Sequence, residues 1–134
     1  MKELEQKVAL VSSSTRGIGL ACAKALAAQG AAVYLGVRRL DAGQQIADEI
    51  IAAGGRAGVV YFDAANEDSF SGMVDEVAKK EGRLDILVNN FGATDVKTDL
   101  DVVNGDSDDF FRIVNTNLKS VYLPSKAAVP VMAK

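Results

Sequence analysis

The sequence predicts an α/β fold, a doubly wound parallel sheet of Rossmann type with strand order 3-2-1-4. Two observations carry this. Short β-branched apolar runs alternate with longer segments of helical periodicity along the whole chain. The first run, Val8 to Val11, passes through a hydroxyl-rich turn into Gly17 and Gly19. Right-handed crossovers between such units cover both faces of a sheet. They leave a ligand crevice at the carboxyl ends of the strands, where the strand order reverses.

Each element has its own signal. Val8 to Val11 reads as a buried central strand. Leu20 to Gln29 is alanine-rich and has no breaker, so a helix starts near Gly17 and ends at Gly30. Ala31 to Val37 is the second strand. Asp41 is placed to cap the next helix, which runs to about Ala53 and stops at Gly54-Gly55. Gly58 to Phe62 is the third strand. Asp63 or Asn66 starts a helix with Phe70, Met73, Val74 and Val77 on one face. Asp85 to Asn89 is the fourth strand, and a polar loop follows to about Gly105. Asp106 to Asp109 makes an acidic helix start, and Phe110 to Lys134 is mostly helical despite Pro124 and Pro130. No repeat or low-complexity linker divides the chain, so residues 1–134 read as one domain.

Composition narrows the function classes. With 134 residues, 49% of them hydrophobic, the chain can bury a core of its own. Its net charge of −3 gives no general nucleic-acid face. It holds one cysteine and no histidine, so neither an internal disulfide nor a Cys/His metal site can form; no metal is expected. Cys22 lies four residues from both Ile18 and Leu26, a spacing that points it at the sheet as a structural thiol. No signal-peptide core or membrane-length apolar run is present, so a cytoplasmic location is expected.

A strand that turns tightly into a helix aims free N–H groups and a positive dipole end at one point, an anion site. Gly17 and Gly19 keep side chains away from a pyrophosphate, and Gly19 lets the helix pack closely on the sheet. The function this suggests is dinucleotide binding; an ordinary βα turn with two glycines is the plainer alternative. The stretch resembles the Thr-Gly-x-x-x-Gly-x-Gly fingerprint of the short-chain dehydrogenase/reductase family. Ser12 stands in the Thr place, and Ser13 replaces the first glycine. The Ser13 hydroxyl can compensate by bonding local backbone or a phosphate.

The end of the second strand sets the cofactor. An acid there reads a free adenosine ribose. This chain has Val37-Arg38-Arg39, with no carboxylate to repel a 2′-phosphate and two guanidiniums to pair with it. Arg16 and Thr15 in the turn can reach the same region. The expected cofactor is therefore NADP, although Arg38 and Arg39 also read as solvated surface charges.

The resemblance implies further roles. Asp63 corresponds to the acid that accepts a hydrogen bond from the adenine amino group, and is equally a turn or cap residue. Asn89-Asn90-Phe91-Gly92 resembles the family's Asn-Asn-Ala-Gly. Asn89 would tie neighbouring strands. Asn90 would lie beside the cofactor ribose, with Gly92 giving room. Phe91, in place of alanine, would narrow that space or turn into the core. Asn117 matches the asparagine that kinks the family's long helix, where an inward carbonyl holds a water for a proton relay. Asn115 competes for that role with poorer spacing.

The run Asp99 to Gly105 superficially suggests calcium, but Val103 and Phe110 stand where ligands belong, so it reads as a solvated loop beside the substrate cleft. Within the family, the details resemble a clostridial branch that uses NADP to act on the 7α-hydroxyl of bile acids. That implies a steroid or bile-acid substrate and a homo-oligomer, with no nucleic-acid or membrane partner. A non-catalytic NADP-binding module and a 3-oxoacyl reductase remain the alternatives. The family's catalytic Ser and Tyr-x-x-x-Lys are expected after a fifth strand. Tyr122 and Lys126 match that pattern formally but come too early, so the chain reads as an N-terminal portion, expected to be inactive by itself.

Overall fold

The computed structural model describes residues 2–134. The elements run β1 (Val8–Ser12), α1 (Gly17–Ala28), β2 (Ala32–Val37), α2 (Leu40–Ala52), β3 (Arg56–Tyr61), α3 (Asp68–Glu81), β4 (Ile86–Val88) and α4 (Ser107–Met132). The strands form one parallel sheet in the order β3-β2-β1-β4, as predicted. In its register Leu10 lies between Tyr34 and Leu87.

Every residue of β1 is buried, because the strand is central and both its faces are covered. Side chains alternate across a strand, so β1 feeds two cores. Val8 and Leu10 face Phe70, Met73, Val74 and Val77 of α3 and Ala128 of α4. Ala9 and Val11 face Ala23 and Ala27 of α1 and Ala47 and Ile50 of α2. The long helix starts as expected: the Asp106 side chain accepts the Asp109 N–H at its N-cap. Pro124 and Pro130 both lie inside it.

Several local expectations need correction. Arg39 occupies the N-cap position of α2, and Asp41 sits in the first turn, 3.8 Å from the Arg39 guanidinium. There its negative charge still suits the helix dipole. β3 starts earlier than predicted, at Arg56, because Arg56 and Ala57 pair with Ala32 and Val33. α3 begins at Asp68, beyond Asp63 and Asn66, which form a turn of their own. β4 is confined to Ile86–Val88. On α1, the residues fully buried against the sheet are Gly19, Ala23 and Ala27. Ile18 is 77% exposed and Cys22 only half-buried, because small residues bring the helix axis close and push that neighbouring row to the flank.

The entrance to the sheet is tied by Asp85. Its carboxylate accepts two hydrogen bonds from Arg83, at 2.8 and 2.7 Å, and the main-chain N–H of Val8 at 2.9 Å. The Arg83 bonds hold its pKa below the usual carboxylate value, and the Val8 bond adds to them, against the opposing effect of partial burial. A carboxyl depressed in the folded state contributes stability above its unfolded value, near pH 4, and loses it as the pH falls through the folded value. Asp85→Ala leaves the Val8 N–H without its acceptor and should cost about 1–3 kcal/mol at neutral pH. Denaturant melts from neutral to acid pH should show this difference shrinking below about pH 4.

Candidate functional site

The carboxyl ends of β1 and β4 lie side by side where the strand order reverses. α1 starts from this point. Arg16 holds the N-cap position in extended conformation, no side chain caps the helix, and its first turn holds no acid. The leading N–H groups and the positive dipole end are therefore open to an anion. Gly17 takes a left-handed φ of +59°, and a Cβ there would meet nothing within 4 Å. Gly19 is different. Its Cβ would collide with the Ser13 carbonyl oxygen and lie 2.5 Å from Asn90 Nδ2. Gly17 makes the turn and leaves room for a ligand, whereas Gly19 is buried packing.

The hydroxyl turn is organised by three serines. The buried Ser12 hydroxyl accepts the N–H groups of Asn90 and Phe91 at 3.0 and 3.2 Å. Ser13 adopts φ +53°. Its N–H donates to Gly36 at 2.8 Å, and its carbonyl accepts Asn90 Nδ2 at 3.0 Å. The buried Ser14 hydroxyl donates to Val11 at 3.0 Å. Thr15 is half-buried beside them. Sequence reasoning gave no task to Ser14. Its signal was a hydroxyl three residues beyond a strand residue whose carbonyl needs a donor.

Arg16, Arg38 and Arg39 are all exposed. Arg39 leans on Asp41, while Arg16 and Arg38 have no ion pair or side-chain hydrogen bond among the described residues. Asp63 lies at the carboxyl end of the sheet beyond β3. Its carboxylate accepts the Ala65 N–H at 2.9 Å and the Tyr61 hydroxyl at 3.1 Å. Spare lone pairs remain, so the turn role and a ligand role are compatible.

Phe91 turns into the core, 5.5 Å from Phe62 between ring centroids, yet also lines a cleft of about 390 Å³ with Ala64, Ala65 and Ile113. A Cβ on Gly92 would meet nothing within 4 Å. Asn89 does not tie strand to strand. Its Nδ2 donates to Ser125 Oγ of α4 at 3.2 Å, and its buried Oδ1 has no partner among the described residues. Among the described residues its one side-chain bond is to the helix layer rather than to a strand.

Asn117 clamps the loop after β4. Its Oδ1 accepts the Ala93 N–H at 2.9 Å, and its Nδ2 donates to the Ala93 carbonyl at 2.8 Å. α4 runs unbroken through this residue, and the Ser120 hydroxyl donates to the Asn117 main-chain carbonyl at 2.7 Å. Asn115 makes no such bond and lines a separate cleft with Glu67 and Lys119. Tyr122 and Lys126 stand exposed on α4 without a bond between them. In the acidic loop, Asp101 folds onto Val103 and Asn104, and these bonds hold its pKa below the usual range. A cleft of about 510 Å³ separates this loop from the start of α4.

Two substitutions test the turn. Ser13→Gly removes the cost of a left-handed β-carbon and should raise stability by about 0.5–1 kcal/mol after the entropy lost to glycine. Gly19→Ala forces a Cβ into fixed backbone and should cost about 1–3 kcal/mol. Thermal melts should shift in opposite directions. Equal shifts would mean that the turn is loose.

Comparison with known proteins agrees with this architecture. The short chain dehydrogenase family matches residues 7–134. The 7alpha-hydroxysteroid dehydrogenase of Clostridium sardiniense is 53% identical over all of this chain and 51% of its own length. That of Paraclostridium sordellii is 54% identical over 98% of this chain and 49% of its own. The chain thus spans about half the length of these curated relatives. A metagenomic short-chain oxidoreductase solved in complex with NADP superposes with a TM-score of 0.85. It is 32% identical over 96% of this chain and 57% of its own. With a family match across nearly its whole length, the chain belongs to the short-chain dehydrogenase family.

Proposed function

We propose that the protein is an NADP-dependent oxidoreductase that moves a hydride between a secondary alcohol and the nicotinamide. We assign the 7α-hydroxyl of a bile acid as that alcohol. The coarser statement, an oxidoreductase acting on a hydroxyl, follows from family membership and from hydroxysteroid dehydrogenase relatives. Identity of 53–54% to two 7alpha-hydroxysteroid dehydrogenases supports the substrate.

The single observation behind the cofactor choice is Arg38, exposed and without an ion pair among the described residues, directly after β2 where the chain carries arginines rather than an acid. The residues present fit a phosphorylated dinucleotide. The open head of α1, with Gly17, Ile18 and Thr15, suits the pyrophosphate. Arg38, with Arg16 and Arg39, suits the 2′-phosphate. Asp63, Asn90 and Gly92 flank the adenosine side. When bound, the nicotinamide supplies the hydride-accepting carbon.

We assign Asn117 to the chemistry through its main chain. The clamp on Ala93 fixes both the loop and the turn of α4 that carries the Asn117 carbonyl. That carbonyl already accepts the Ser120 hydroxyl at 2.7 Å, so a water would have to displace this bond to enter a proton relay. The acid/base Ser and Tyr-x-x-x-Lys are not assigned to Tyr122 and Lys126. A homo-oligomer is part of this reading. So is the cytoplasm, whose reducing conditions suit a lone cysteine.

Arg38→Asp should weaken NADP binding roughly 10- to 150-fold, the worth of a charge-assisted hydrogen bond of about 1.5–3 kcal/mol. NAD binding should change little. Calorimetry with both cofactors checks this, and equal affinity in the unmutated protein would sink the cofactor choice. The protein as it occurs naturally should reduce NADP with a 7α-hydroxy bile acid, followed by the absorbance of the reduced nicotinamide. Turnover of a 3-oxoacyl substrate alone would replace the bile acid by the second reading.

A further inference from the structure

Asn104 and Gly105 are neighbours in the acidic loop before α4. Of the six asparagines in the sequence, Asn104 alone precedes a glycine. That pairing has a chemistry of its own. The side-chain carbonyl carbon of an asparagine can reach the next main-chain nitrogen, and a five-membered ring closes when that nitrogen attacks it. A β-carbon on the following residue crowds the attack, whereas glycine has none and bends freely. Asn104 is exposed, so base and water have access to it.

The structure holds the pair in a bracket made by Asp101. Asp101 Oδ2 accepts Asn104 Nδ2 at 2.7 Å, and Asp101 Oδ1 accepts the Asn104 N–H at 3.0 Å. The Asp101 main-chain carbonyl accepts the Gly105 N–H at 2.9 Å. The amide that would leave and the nitrogen that would attack are therefore both engaged with Asp101. The Asn104 amide is also the first cause holding the Asp101 carboxyl below its usual range. A β-carbon on Gly105 would lie 3.2 Å from the Asp101 carbonyl oxygen, so the bracket fits glycine closely. Ring closure needs both bonds to open together, a local opening of this loop.

We propose that Asn104 is a deamidation site whose rate is set by the opening of the Asp101 bracket. Once the bracket opens, the Gly105 nitrogen gives its proton to solvent base and bonds to Asn104 Cγ. The Cγ–Nδ2 bond breaks, and Nδ2 leaves as ammonia with a proton from solvent. Water then opens the cyclic imide. Attack at Cγ leaves aspartate, and attack at the main-chain carbonyl leaves isoaspartate, with the chain running through Cγ. Either product replaces the amide donor by a carboxylate against Asp101, and like charges oppose closing the bracket again. Isoaspartate also lengthens the main chain just before Asp106, the cap of α4, and beside the cleft of about 510 Å³ that Gly105 lines.

The test is peptide mapping by mass spectrometry on the naturally occurring protein, aged at neutral pH, reading the exchange of amide for carboxyl at each asparagine. Asn104 should lead all the others and yield isoaspartate together with aspartate. Asp101→Ala should speed the reaction at Asn104 about fivefold in the folded protein, the ratio that one ordinary hydrogen bond supports. In urea, where the bracket is gone, the two proteins should react at the same rate. Gly105→Ala should slow the reaction in urea as well, a check on the ring closure that does not depend on folding. Another asparagine reacting first, aspartate without isoaspartate, or an unslowed Gly105→Ala variant would overturn the site. Equal folded-state rates with and without Asp101, or a difference that persists in urea, would overturn the bracket.

Discussion

A β-carbon has no place at Gly19, and much of the architecture follows from that contact. The glycine brings the first turn of α1 against the Ser13 carbonyl and the Asn90 amide at once. Those groups belong to the ends of β1 and β4, the strands between which the sheet reverses its order. Asn90 Nδ2 donates to Ser13, and Ser12 Oγ accepts from Asn90 and Phe91, so three donors after β4 stitch that end to the end of β1. A helix start, a strand end and the following loop become one rigid unit. The uncapped N–H groups at the head of α1 are set on that unit, held in place by contacts within the chain.

The same unit explains how the chain tolerates a serine in the left-handed region. Ser13 is held at φ +53° by bonds on both sides of its peptide units, from its N–H to Gly36 and from Asn90 to its carbonyl. A non-glycine residue there costs about 1–2 kcal/mol, and each bond returns about 1 kcal/mol. The conformation persists because surrounding contacts over-determine it. Strain gathers beside the open face of Gly17, where a ligand would lie.

What the sequence made legible follows from how local each signal is. Val8 to Val11 could be recognised as central because an unbroken apolar run needs cover on both faces, and both cores meet there. The strand order came from the alternation of elements and the handedness of crossovers. The start of α4 was legible from the acidic run Asp106 to Asp109, whose first residue caps the helix through a partner three residues away. Asn89 was not, because its partner Ser125 lies 36 residues on and the choice between strand and helix layer depends on the pleat. Ile18 misled because periodicity gives the row of a residue but not the helix's tilt, which the small row Gly19, Ala23 and Ala27 decides. The arginines were legible by position, but the pull of Asp41 on Arg39 was not.

The two faces of the sheet divide the work. On the side of α1 and α2, alanines and valines make a thin core that brings the helix head close to the strand ends. On the side of α3 and α4, aromatic and long side chains make a thicker one. The thicker layer leaves a gap at its upper end, between the turn after β3 and the first turns of α4. Phe91 rises into that gap from the core, and Asn117 closes it by gripping Ala93. The first residues of the loop that follows β4 are thus fixed at Ser12 through Asn90 and Phe91, and at Asn117 through Ala93. Core packing and cleft shape are set by the same few residues, so a change in one reaches the other through contacts rather than through flexible chain.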